Sequence, residues 1–438
     1  MHLMMMALGT VIGGSFFLGS TVAIKAAGPA VVISYILGGA LVYIILFALS
    51  EMTVADAAPG SFRTFAERAY GPGLGFVVGW VYWTGIVLAM SSEAIALSVF
   101  LKEWIPGVSL PLMGAVIIVI VTLLNLLGAD KLSRMESGLA FIKLFAVAGF
   151  IALGIMIISG IAGGGPGAGF GALREEALFP GGIGGIAGSM LIVMFTYAGF
   201  EIIGLAASET GEPHKTVPRA ILYTVIALVG LYTAAIIVLL PLIPVDELTA
   251  QESPLVLALR KWNMGWAGSV MSFVLITAIL STMLAAMFGL GRMMRSLAAE
   301  GHAPSWCRDR GDIPRRCILF SGAAMLAGLF MGFVLPEQVY LFLVSSGGFS
   351  LLFTYLVIML THYRFRRRSG CPPAGHCQLP GFPYTSLAAI IGIIAIILSM
   401  PLVSGQQYGL IAGAALAALY TSVYVVKKLV AEKRNGRT

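Results

Sequence analysis

Three ionisable side chains, Glu93, Lys143 and Glu201, stand inside long apolar runs. A charge at the centre of a bilayer costs about 2.5 to 3.5 kcal/mol on insertion scales, so each needs a partner or a task. Two glycine-bearing interruptions accompany them. Ala7 to Ser20 reads ALGTVIGGSFFLGS, with Gly9, Gly13 and Gly14 where a spanning helix would carry bulk, and a later run interrupts at Gly199 and Glu201 in FTYAGFE. Glycines cost roughly 1 kcal/mol each in a helix interior, so a helix break is expected at both places. Inside hydrocarbon such a break is tolerated only where protein or a water-filled cavity satisfies the freed backbone groups. The N–H groups that open the second half-helix suit a carboxylate, and the carbonyls that close the first suit a cation. An amino acid carries both charges. Close packing of helices through small residues accounts for the same glycines without a ligand.

The elements that position these residues follow from composition. The 438 residues are 58% hydrophobic and 11% charged, far from a soluble globular protein. Apolar runs of bilayer length recur along the whole chain and ten-residue alternating segments do not, so the fold class is an all-α integral membrane protein and not an outer-membrane barrel. About twelve transmembrane helices are expected, near 4–24, 29–50, 75–101, 109–128, 138–159, 186–206, 218–243, 265–290, 317–335, 338–361, 384–402 and 406–426. With the N-terminus inside, 21 of the 27 Lys and Arg fall in cytoplasmic segments. Only Lys25, Lys102, Arg174, Arg260 and Lys261 fall outside. That asymmetry follows the positive-inside rule and accounts for the net charge of +7 without nucleic acid.

Two broken spans five apart are the pattern of an inverted-repeat transporter. The organisation expected is a first repeat over 1–160, an outer glycine-rich loop over 161–185 and a second repeat over 186–361. A cytoplasmic basic loop over 362–383 and two further helices with a cytoplasmic tail over 384–438 complete it. This is a 5+5 (LeuT-like) core with discontinuous first and sixth helices. No cleavable signal peptide is expected: Met1 to Ala7 has no basic segment and no cleavage site follows. Cys307, Cys317, Cys371 and Cys377 fall in or beside cytoplasmic loops, where reduced thiols are the default. Cys371, His376 and Cys377 match no standard zinc spacing, so no metal is expected. The Arg364 to Arg368 cluster has two readings, contact with anionic lipid and ordinary positive-inside bias.

The motifs also resemble a known family, the amino acid–polyamine–organocation superfamily and, within it, the amino acid permeases. HLMMMALGTVIGGSFFLGS looks like its first-helix motif, and Phe195 to Ala220 like its sixth-helix motif. Gly79-Trp80-Val81-Tyr82-Trp83, Glu93 and RMMRSLAAEGHAP, from Arg292 to Pro304, match as well and in the family's order. The resemblance runs through at least ten spans. Many relatives carry a longer basic tail before the first helix, so the start looks truncated beside theirs.

The resemblance implies that N–H groups around Gly13, Gly14 and Ser15 hold the substrate's α-carboxylate. It implies that carbonyls near Val11 and of Phe195 and Ala198, beside Gly199, hold its amino group, and that Phe195 is a gating aromatic. Lys143 is implied to sit beside the first break, where sodium-coupled relatives of the fold bind a cation, and to load and release a proton. Snorkelling of its ammonium to the cytoplasmic face is the other reading. Ser281 and Thr282 match the family's small hydroxyl residues and read as a remnant of a cation site, whereas Leu284 replaces an Asn found in some permeases. Glu201 is read as a gate or proton carrier, or as a neutral acid bonded to freed backbone groups. Glu93 is read as a contact to the substrate amine or a partner of Lys143, or as a structural hydrogen bond, and Glu209 as a cytoplasmic gate or an interface contact rather than a substrate ligand.

The function expected is secondary transport of amino acids, with proton symport and exchange as rival couplings and a non-transporting amino acid receptor as the competing class. No cofactor is called for. The apolar residues Val11, Ile12, Phe16, Phe195, Tyr197 and Phe200 favour a neutral substrate. Paired aspartates, a Ser–Lys pair at helical spacing and His-Glu-x-x-His are missing from the spans, which argues against an intramembrane enzyme.

Overall fold

The computed structural model describes all residues except 1–7, 57, 59, 103, 163–166, 202–212, 250–251, 310, 312, 335–338, 372–378 and 436–438. The described residues are helical, with no strand among them. Helix α1 covers 8–11, and the chain bends at Ile12 and Gly13 before α2 (Gly14–Phe17) and α3 (Gly19–Ala27) continue upward. Then come α4 (Val31–Ala55), α5 (Phe62–Tyr70), α6 (Pro72–Leu101), α7 (Leu110–Asn125), α8 (Ala129–Ile158) and α9 (Gly182–Thr196). The second half holds α10 (Pro213–Leu242), α11 (Pro254–Lys261), α12 (Gly265–Ala299), α13 (Arg315–Val334), α14 (Val339–Ser369), α15 (Tyr384–Ser399) and α16 (Gln406–Asn435). Pro opens α6, α7 and α11 in the first turn, where its missing N–H would have no helical partner anyway.

Among the described residues, eight stretches are long and apolar enough to cross a membrane. One of them, Gly14–Ala55, contains two of the expected spans, and the shorter apolar helices Leu110–Asn125 and Gly182–Thr196 coincide with two more. Helices α6 and α14 pack against each other at the centre, and α6 also meets α5, α12 and α7. Apolar side chains of α7, α8 and α16, such as Leu112, Phe145 and Val426, are exposed, as lipid-facing surfaces require. The short amphipathic α5 lies between α4 and α6 at the end of the bundle that carries the basic loops, called here the basic end.

Candidate functional site

The first break is held by two charged side chains. Gly13 is extended, at φ −139° and ψ −168°, so the N–H groups after it are free of the helix before it. Gly14 N donates to Glu93 Oε2 at 2.8 Å and Ser15 N to Glu93 Oε1 at 2.9 Å. A Cβ on Gly14 would meet that carboxylate at 2.5 Å, which explains why glycine stands there. On the other side of the bend, the Lys143 ammonium donates to Gly9 O at 2.5 Å and to Thr282 Oγ1 at 3.1 Å. The Thr282 hydroxyl lies 3.1 Å from the carbonyls of Ile12 and Ala278 and against Gly13. Lys143 is fully buried and Glu93 is 3% exposed, so the lysine reaches inward and does not snorkel. The polarity is the one dictated by helix ends, with a cation on orphan carbonyls and an anion on orphan N–H groups.

The sixth helix stops at Thr196, and turns occupy 197–201. Gly199 adopts φ +106°, a conformation that a side chain disfavours, and a Cβ there would lie 3.2 Å from the Thr10 carbonyl. The two interruptions therefore meet. Glu201 accepts from Gly199 N at 3.1 Å, from the Tyr82 hydroxyl at 3.2 Å and from the Tyr355 hydroxyl at 3.3 Å. The Phe195 carbonyl accepts from Ala198 N at 3.0 Å, and the Val11 carbonyl from the Tyr232 hydroxyl at 3.5 Å.

A cavity of about 60 Å³ lies where the breaks meet, room for about two water molecules at ~30 Å³ each. Val11, Ser15, Phe195, Ala198, Gly199, Glu93, Glu201 and Thr282 all line it. Lys143 stands behind the first break and Gly13 beside Thr282, neither on the cavity wall. Ser281 is buried with no hydrogen-bond partner for its hydroxyl and does not line the cavity. Of the apolar residues expected around the substrate, Phe16 stacks on Tyr232 at 4.0 Å and Tyr197 completes that cluster with Tyr35. Phe200 stacks on Tyr355 at 5.2 Å. They pack and do not line. Glu209, His376 and Cys377 lie outside the described residues.

Two charged clusters at the basic end were not anticipated from sequence. Buried Arg63 pairs with Glu67 at 2.9 Å and with Glu300. Burial pushes the Glu67 carboxyl up, and its hydrogen bond to Glu300 adds to the shift. Burial also pushes at Glu300, but the Arg63 hydrogen bond and charge outweigh it and hold that carboxyl below its ordinary range. Glu67, Glu300 and His302 could bring ligand atoms within 4.8 Å of one another, yet the Arg63 guanidinium already holds both carboxylates and repels a cation. In the second cluster Glu51 meets His362 Nε2 at 2.6 Å, Arg366 at 3.0 Å and Leu379 N at 2.9 Å. Cys307 and Cys317 are free, whereas Cys371 is disulfide-bonded. This corrects the expectation of a reduced thiol there. Compartment chemistry bears on how long a disulfide survives, not on whether the chain brings a cysteine to a partner.

The bend at Ile12 and Gly13 and the turns after Thr196 thus meet around a small, mostly apolar cavity that carries two carboxylates. The amino acid permease family model matches residues 2–435. The chain belongs to the amino acid permease family. It is 32% identical over 430 residues to the uncharacterized amino acid permease YvbW of Bacillus subtilis, covering 97% of this chain and 96% of that one. It is 30% identical over 438 residues to the gamma-aminobutyric acid permease of B. subtilis, with 99% and 92% covered. Against the gamma-aminobutyric acid permease of Escherichia coli the identity is 34% over 374 residues, with 84% and 79% covered. This permease is a membrane transporter of amino acids and not an enzyme.

Proposed function

We propose that this permease takes up small zwitterionic amino acids, gamma-aminobutyrate among them, across the cytoplasmic membrane together with a proton. Its twelve spans form two inverted five-helix repeats and two C-terminal helices, with both termini in the cytoplasm. One bundle rocks against the other so that the cavity opens to each side in turn. The observation that carries the reading is the cavity at the meeting point of the two breaks, with Glu93 on the Gly14 and Ser15 N–H groups. So small a cavity suits a substrate of few heavy atoms and no long side chain. Relatives named gamma-aminobutyric acid permeases support the substrate class.

Glu93 supplies the coupling. A substrate carboxylate that takes the two N–H groups displaces Glu93, which is then left ionised against an apolar wall at high cost. Taking up one proton neutralises it, so one proton enters with each substrate. Lys143 keeps its hold on the Gly9 carbonyl while the N–H side changes partner, and Glu93 gives its proton up when the substrate leaves and the two N–H groups return to it. Glu201, between Tyr82 and Tyr355, closes the cavity toward the basic end.

The test is uptake of labelled gamma-aminobutyrate, alanine and lysine into sodium-free proteoliposomes, with and without an inward proton gradient. Accumulation of the first two only with the gradient is expected. Uptake that ignores the gradient but needs internal amino acid would establish exchange and remove the motive for the coupling roles.

A further inference from the structure

A second cavity lies at the basic end, outside the transport site. It has a volume of about 270 Å³ and is lined by Met52, Asp56, Phe65, Arg68, Ala69, Thr361, Arg364, Phe365, Arg368 and Ser369. Three guanidiniums and one carboxylate make the wall cationic. Residues 361, 364, 365 and 368 recur at i, i+3, i+4 and i+7 and so share one face of α14. Arg68 faces them from α5. The arginines of the 364–368 run are not equivalent. Arg366 is spent on buried Glu51 and lies over the Phe382 ring, and Arg367 lies over Tyr363. Arg364 rests on the Tyr70 ring, 4.7 Å from its centroid. Among the described residues neither Arg364 nor Arg368 has a carboxylate partner, and Arg68 pairs with Asp56.

The other half of the wall is apolar. Met52 and Phe65 are buried and form its apolar floor with Phe365, near the ends of α4 and α14 at Ala55 and Ser369. A soluble anion has no use for such a floor. We infer that this pocket binds the anionic phosphodiester headgroup of a membrane lipid from the adjoining leaflet, with Arg364, Arg368 and Arg68 around the phosphate and the glycerol end against Met52, Phe65 and Phe365. Guanidinium forks match a phosphodiester's two free oxygens, and basic pockets between spans at the membrane edge suit anionic headgroups. The volume also exceeds what one phosphate fills, since roughly nine waters at ~30 Å³ each would occupy it. Because α14 packs on α6, which carries Glu93 and Tyr82, the lipid would brace an element of the transport core.

The experiment is native mass spectrometry of the full chain in detergent, titrated with phosphatidylglycerol and with phosphatidylcholine, with inorganic phosphate as competitor. Wild type should retain phosphatidylglycerol about tenfold better than phosphatidylcholine, and R364Q/R368Q should lose that preference, as two charge-assisted contacts disappear. R367Q, on another face of the helix, should keep it. Millimolar phosphate should displace none. Equal retention of the two lipids by wild type, an unchanged preference in the double variant, or displacement by inorganic phosphate would each overturn the inference. Wild-type selectivity decides the matter even if the double variant is unstable, and it is read without any transport assay.

Discussion

The two helix breaks are satisfied in different ways. At the first, ions of both signs do the work: the Lys143 ammonium sits on a carbonyl and the Glu93 carboxylate on two N–H groups. At the second, one carboxylate accepts from a backbone N–H and two phenols, with no cation bonded to it among the described residues. A charged clamp is strong but breaks at a cost when either ion changes state, because a buried charge without its partner is expensive. A hydroxyl clamp tolerates change, since a phenol both donates and accepts. On the function proposed above, the first break is the place to couple a proton to a conformational change, and the second the place to keep a cavity closed.

The sharpest way to break that contrast is K143A. It strips two buried contacts of a charged donor, each worth about 1.5 to 3 kcal/mol, so uptake in proteoliposomes should fall at least ~100-fold. An uptake loss under threefold would put the lysine outside the mechanism. Next comes E93Q, which keeps the shape but leaves one carbonyl oxygen for two N–H donors. Gradient-driven accumulation should drop about tenfold, while exchange of labelled for unlabelled substrate persists. Intact accumulation would show that Glu93 only braces the helices.

E201Q should be milder, within about threefold in exchange rate, because the amide accepts from one phenol and donates to the other at a cost of about 1 kcal/mol. A loss as deep as that of E93Q would erase the difference between the breaks. The smallest effect concerns the Arg63 latch at the basic end. The folded protein holds Glu67's proton more tightly than the unfolded chain does, so that contribution to stability is complete at low pH and fades as pH rises through the raised pKa. Glu300 has the opposite sign: its contribution is present above the ordinary carboxylate range and is lost as pH falls through the lowered pKa. Thermal unfolding in detergent should therefore show a shallow decline on the alkaline side of that range, which E67Q removes and E300Q does not. A decline that survives in E67Q would assign it elsewhere. Both side chains are partly exposed, so solvent screening keeps the slope small.

Much of the site was legible because glycine in a long apolar run has few explanations. Gly13, Gly14 and Gly199 mark the bends, and the same residues explain why the chain there can approach Glu93, Thr282 and Thr10. What sequence reasoning missed was partnership. It assigned the Gly14 and Ser15 N–H groups to a substrate carboxylate, where the structure has Glu93, 79 and 78 positions away. It had no way to pair Glu201 with Tyr82 and Tyr355, or Glu51 with His362 and Arg366. A hint existed in Glu51, an acid at the inner end of an otherwise apolar helix.

Composition, the length of the apolar runs, the glycine interruptions and the family motifs come from the chain alone. They determined a helical membrane permease whose apolar runs are interrupted near Gly13 and Gly199, because bilayer thickness and backbone satisfaction are rules about one segment at a time. Tertiary structure alone decided which carboxylate caps which break, which aromatics line the cavity and which only pack, and which arginines remain unpaired by carboxylate among the described residues. Those outcomes depend on distances between segments tens to hundreds of residues apart, and helical periodicity carries no information about which neighbour a face will meet.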